Sequence, residues 1–263
     1  MKRLRVWLAG LAVLVLALAA LVWFMPARWG LPLMQSRLHG LQFEQVEGTV
    51  WRGRAGQVST ADGTQLGSLA WTLSRRALIG DEQLGLDLHQ SQWRVQGQMH
   101  RVSDTQQDWH DVVLHLDMAV LGMQPWLRGQ PQGQLDVQMA KLQLQGNWPM
   151  HVDAVGTWSQ AAVHTVLGTV PLGTVLLKVD GDAGVLKATL DDDGSGPLQT
   201  AGRLSFSPLG WDLQLSLKPR KDDPALLHWL RGFGATASDG SVQLRYRGGL
   251  AQLNQSDSTT GHP

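Results

Sequence analysis

The sequence predicts a mainly β protein of antiparallel strands, tethered by one N-terminal transmembrane helix and carrying one or two short helices. Three observations point there. An uncharged apolar run fills Val6–Met25, apolar residues beyond Gly40 recur with a period of two, and the connections between those stretches are short and rich in Gly, Asp, Ser and Pro. Alternating strands on short connections leave no room for the helical crossovers of a parallel sheet.

At the N-terminus, the run Val6–Met25 has 20 residues. As a helix it spans ~30 Å, the thickness of a bilayer's hydrocarbon core. Ala17-Leu18-Ala19 offers the rival cleavage site of a signal peptide. The run continues through Leu21 to Met25, however, beyond the ~7–15 residues of a signal's apolar region, so an uncleaved anchor is favoured. Lys2, Arg3 and Arg5 precede the span and only Arg28 follows closely, which keeps the N-terminus cytoplasmic. Trp7 and Trp23 lie near its two ends, where interfacial rings anchor. No second run of this length follows, so the rest of the chain is expected on one side, the periplasm of a bacterial cell. The expected organisation is a cytoplasmic stub at 1–5, a span at 6–25, a periplasmic β-rich domain at 26–250 and a disordered polar tail at 251–263.

Past the span, Leu31, Met34 and Leu38 recur at near-helical spacing before Gly40 and predict a short interfacial helix. Strands are predicted where apolar residues alternate: at Leu84, Leu86 and Leu88; at Val112, Leu114, Leu116 and Met118; at Leu135, Val137 and Met139; and at Leu142 and Leu144. Trp211, Leu213, Leu215 and Leu217, then Val242, Leu244 and Tyr246, continue the pattern. Turns are predicted within Asp180–Gly184 and Asp191–Pro197. One helix is expected in Asp223–Gly232, with Asp223 as cap, Pro224 in the first position and Leu226, Leu227 and Leu230 as its stripe, plugging an end or open side of the sheet. Gly48-Thr49-Val50-Trp51 is echoed by Gly156-Thr157-Trp158 and by Gly67–Trp71, through duplication of a meander or through chance in a chain with 30 Gly and 12 Trp.

Composition and motifs narrow the function. With 22 basic and 22 acidic residues, no broad field favours nucleic acid, which is not expected as a partner. The absence of cysteine removes disulfides and thiolate sites together. No nucleophile elbow, zinc-binding H-E-x-x-H, Walker A or dinucleotide fingerprint occurs, so the expectation is a protein that is not an enzyme, with no catalytic residue, cofactor or metal. His110 and His115 are five apart, on opposite faces of a regular strand, and would need a bulge to share a metal. Asp191-Asp192-Asp193 reads as a solvated turn rather than a cation loop, and Ser195 lacks a base at a recognisable distance.

Trp51, Trp71, Trp158 and Trp211 are the candidate structural or groove residues. Core packing is the favoured reading, and an apolar groove for a lipid chain or a partner's strand is the sharper one. Val46–Ala55 reads as a strand opening in which Trp51 packs inward and Arg52 and Arg54 face a partner or solvent.

The ordered set of short motifs resembles the type II secretion system protein N family of the general secretory pathway. The residues that carry it are the basic N-terminus and single span, Pro26-Ala27, Val46–Ala55, Leu69–Gly80, Gly156-Thr157-Trp158, Gly196–Gly202, Lys218-Pro219-Arg220 and Asp239–Gly248. The resemblance implies an accessory, non-enzymatic component of the inner membrane, in contact with other components of the machinery that carries folded proteins from the periplasm across the outer membrane. The family is distantly similar to AsmA-like proteins, which implies a curved antiparallel sheet forming an open groove or half-barrel, and lipid as a second candidate partner.

Overall fold

A computed structural model describes residues 23–29 and 40–249. The predicted span up to its last three residues, most of the predicted interfacial helix and the tail at 251–263 lie outside the described residues. Among the described residues, no helix is long and apolar enough to cross a membrane. The chain divides into two compact units, Met1–Gln90 and Ser91–Pro263.

The first unit holds four strands, β1 (Gln42–Gly48), β2 (Arg52–Ser59), β3 (Gln65–Leu73) and β4 (Gln83–Gln90). Each pairs antiparallel with the next. A 3-10 turn, Arg75–Ile79, joins β3 to β4, opened by the Ser74 side chain accepting from the Arg76 amide and closed by Gly80 in the left-handed region. The second unit holds nine: β5 (Trp93–Arg101), β6 (Gln106–Asp117), β7 (Gln130–Gln145), β8 (Trp148–Thr165), β9 (Gly168–Asp182), β10 (Val185–Asp192), β11 (Leu198–Ser207), β12 (Gly210–Pro219) and β13 (Val242–Gly249). Here too strand order follows chain order and every neighbouring pair is antiparallel, without closure into a barrel. The protein is therefore mainly β and antiparallel, as the alternation predicts.

Bulges explain where simple alternation misleads. Leu135, Val137 and Met139 are odd-numbered and Leu142 and Leu144 even, which reads as two strands; they form one, β7, whose register slips between Met139 and Lys141. The extra residue carries Leu142 onto the face of Met139. The Asp180–Gly184 turn is tighter than expected, because β9 runs to Asp182 and only Ala183 (φ 49°) and Gly184 (φ 78°) make the corner. Two successive positive φ angles define the turn that matches strand twist.

The helix prediction holds. α1 (Pro224–Arg231) starts at Asp223, whose carboxylate accepts from the amides of Ala225 (2.9 Å) and Leu226 (3.2 Å). Its buried side chains are Leu226, Trp229 and Leu230, so Trp229 rather than Leu227 completes the stripe. They pack on Val170, Leu172, Val175, Leu198, Leu217, Val242 and Leu244 from the sheet. The Trp229 indole donates to the Leu127 carbonyl at 2.9 Å and meets Phe233 edge to face.

Candidate interaction surface

Paired residues of adjacent strands share a face, so register sorts the second unit's sheet into two surfaces. One row crosses all nine strands as Val95, Leu114, Val137, Gly156, Leu177, Leu190, Gly202, Leu215 and Leu244. The adjacent row, on the opposite face, reads Gln96, Val113, Gln138, Val155, Lys178, Thr189, Arg203, Gln214 and Arg245. One face is thus apolar and the other mainly polar.

The apolar face is covered unevenly. Where α1 lies on it, Leu217 is 5% and Val242 1% exposed. Further along the same strands, Trp211 is 38%, Phe206 39% and Tyr246 48% exposed. Phe206 stacks on Trp148 with centroids 5.4 Å apart, and Trp211 lies over Gly248, where an added Cβ would fall 2.4 Å from the indole nitrogen. A second buried cluster, Val137, Val152 and Ala154, is flanked by half-buried Leu114, Leu135, Met139, Leu142, Val179 and Leu186.

The four sequence-nominated tryptophans separate into different roles. Trp51 is buried. Trp71 faces Gly53 across β2–β3 and fills its missing side chain, since a Cβ there would fall 2.3 Å from the ring; its indole donates to the Val50 carbonyl at 3.1 Å. Trp158 is half-buried against the α1 cluster and donates to the Gln132 carbonyl at 2.9 Å. Trp211 is the exception to burial: its strand runs out beyond the reach of α1.

Val46–Ala55 is a hairpin rather than one opening strand. β1 ends at Gly48, β2 begins at Arg52, and the Thr49 amide donates to the Arg52 carbonyl at 2.8 Å. Gly48 pairs with Gly53, and Gly48 has φ 86° with its Cβ position 2.5 Å from the Arg52 carbonyl oxygen, so a side chain fits neither the turn nor the space. Arg52 and Arg54 do share an exposed face, but Arg54 is held by Glu47 across the pair, through Nε at 2.9 Å and Nη2 at 2.5 Å. That exposed bridge contributes little stability, about 0–1 kcal/mol, and fixes the direction of the side chain.

The other sequence-nominated groups make contacts within the sheet and its turns. A bulge at Asp111 (φ 52°) puts His110 and His115 on the same polar face, correcting the opposite-face expectation for a regular strand. His115 is engaged by Asp136, and among the described residues no group of three His, Cys, Asp or Glu side chains is placed to hold a metal. Asp192 is not a solvated turn residue: its side chain is 8% exposed, accepts from the Thr200 amide at 2.9 Å and the Gly194 amide at 2.8 Å, and pairs with Arg220. Burial pushes its carboxyl up, and the Thr200 amide, Arg220 and Gly194 together hold it below the ordinary value. Ser195 donates to Asp193 at 2.7 Å, a turn bond, with the Asp193 carboxyl lowered by it.

Fold and surface define a class: an antiparallel β protein in which the second unit's sheet presents an apolar face only partly roofed by a helix. A family model for type II secretion system protein N matches residues 39–245, most of the chain, and the chain belongs to that family. No curated protein and no solved structure matches it.

Proposed function

We propose that this chain is a non-enzymatic accessory component of type II secretion, anchored in the bacterial inner membrane by Val6–Met25 with its N-terminus cytoplasmic and residues 26–250 in the periplasm. There it contacts other secretion components and assists export of folded proteins across the outer membrane. The observation that carries the reading is the family match along the β-rich region, 39–245. The apolar run before that region supports the anchoring, since tethering raises effective concentration toward other membrane-bound components. Deleting the gene and measuring exoproteins in the medium tests it. Loss of export restored by the full chain is expected, and unchanged export under every condition overturns it.

A second reading is favoured by one feature, the exposure of Trp211, Phe206 and Tyr246 beyond the end of α1. An acyl chain laid there would cover apolar surface that the protein leaves to water. Mass spectrometry of residues 26–250 purified without added lipid is expected to show bound phospholipid. A lipid-free preparation sinks this reading and leaves the first standing.

A further inference from the structure

Among the described residues of the first unit, every large apolar side chain left exposed lies at one end. Leu78 (60%) and Ile79 (83%) project from the 3-10 turn, with Trp23, Phe24 and Trp29 beside the chain's entry. That entry is fixed to the same end: the Val50 amide donates to the Met25 carbonyl at 3.0 Å, Pro26 bridges to Thr49, and the Arg75 guanidinium sits 3.9 Å from the centroid of the Trp23 ring. Of the unit's described cations, Arg28, Arg75 and Arg76 belong to these segments and Arg52 opens β2 at the same end, while Arg54 is bridged to Glu47 and Arg76 lies 3.7 Å from Asp81. The opposite end is the Thr60–Thr64 turn, closed by Asp62 and without a large apolar residue. A turn locked by Ser74 and Gly80 has no folding reason to display Leu78 and Ile79 to water.

We propose that this end of the first unit is a membrane-seating surface: Leu78 and Ile79 enter the headgroup layer of the bilayer that Val6–Met25 enters, and Arg28, Arg52 and Arg75 lie among anionic phospholipid headgroups. The occupant follows from chain continuity. The apolar run ends at Met25, and aromatic rings with arginines beside them are the side chains that favour the membrane–water boundary. The assignment rests on the reading of Val6–Met25 as a span, and the test separates the two.

The chain has no cysteine, so single labels can be placed in the full protein. Ile79→Cys, Ala61→Cys and Leu14→Cys are each coupled to an environment-sensitive fluorophore and reconstituted in vesicles of phosphatidylethanolamine and phosphatidylglycerol. Ile79 and Ala61 are both exposed, so these changes spare the fold. The label at Ile79 is expected to be quenched by lipids carrying a spin label near the headgroup and to resist aqueous iodide about threefold or more better than the label at Ala61. Replacing phosphatidylglycerol by phosphatidylcholine is expected to weaken that protection, and indifference to the change overturns the anionic part of the assignment. Iodide access at Ile79 equal to that at Ala61 overturns the seating outright. In that case quenching of Leu14 by deep spin labels shows that the span survives, and its absence shows that both readings fall.

Discussion

Truncating Leu230 to alanine tests whether α1 is seated on the sheet as an integral layer. Leu230 is 0% exposed and packed among Leu217, Val242 and Leu244, with Leu226 and Trp229 beside it. Removing three carbons forfeits ~2.4 kcal/mol of transfer free energy at ~0.8 kcal/mol per buried methylene. A residual cavity between helix and sheet raises the cost to about 3 kcal/mol. Urea denaturation of the full chain in mild detergent, followed by tryptophan fluorescence, reads this as a midpoint lowered by about 1.5 M for a slope near 2 kcal/mol/M. His228→Ala, on the exposed side of the same helix, is the control and is expected to cost less than about 0.5 kcal/mol. A loss below about 1 kcal/mol for Leu230→Ala would refute the seating of α1 and mean that the apolar face is open along its whole length.

Gly53→Ala is expected to destabilise by about 2 kcal/mol, because its Cβ would fall 2.3 Å from the Trp71 ring; in a double-mutant cycle, Trp71→Ala should absorb most of that cost, and strict additivity would refute the pairing. Trp51→Ala removes a ring only 8% exposed and should cost about 3–5 kcal/mol, so thermal melts should show a folding defect that Arg52→Ala does not share. Asp192 has a carboxyl lowered from 3.8 in the folded chain, so its contribution is complete above that value and fades as pH falls through the lower folded one. Asp192→Asn should therefore reduce Tm at neutral pH and flatten its acid dependence below about pH 4; an unchanged acid profile would refute the role of the Thr200 and Arg220 contacts.

The fold was legible wherever large apolar residues alternate without interruption, as in β4, β12 and β13 and in β6 past its Asp111 bulge, though β6 stops at Asp117 and Met118 opens a 3-10 turn, and where a helix carries its own start signal, as Asp223-Pro224 does. β8 hid because its inward positions include Ala154 and Gly156, small residues that carry little apolar signal. β7 hid as one strand because a single extra residue reverses parity. At the candidate surface, the sequence located the tryptophans but not their partners: burial of Trp211 depends on how far α1 reaches, and that is tertiary. Motif order told more than motif content. Gly53 in one motif, Val46–Ala55, and Trp71 in another, Leu69–Gly80, are cross-strand neighbours, so two motifs describe one contact.

In both units each strand pairs with the strand that precedes it in the chain, through connections that are mostly short. Ordering such a sheet needs no distant segment to be found first: the loop entropy of each new ladder is that of one hairpin. A chain that becomes available from its N-terminal side can therefore add strands in the order in which they emerge, each growing edge serving as template for the next. α1 arrives after β12 and β13 after α1, so the helix that roofs the apolar face and the strand beside β12 complete the surface only after the other strands have formed. A truncated product would carry that face unroofed, an aggregation hazard that gives quality control a direct signal of incompleteness.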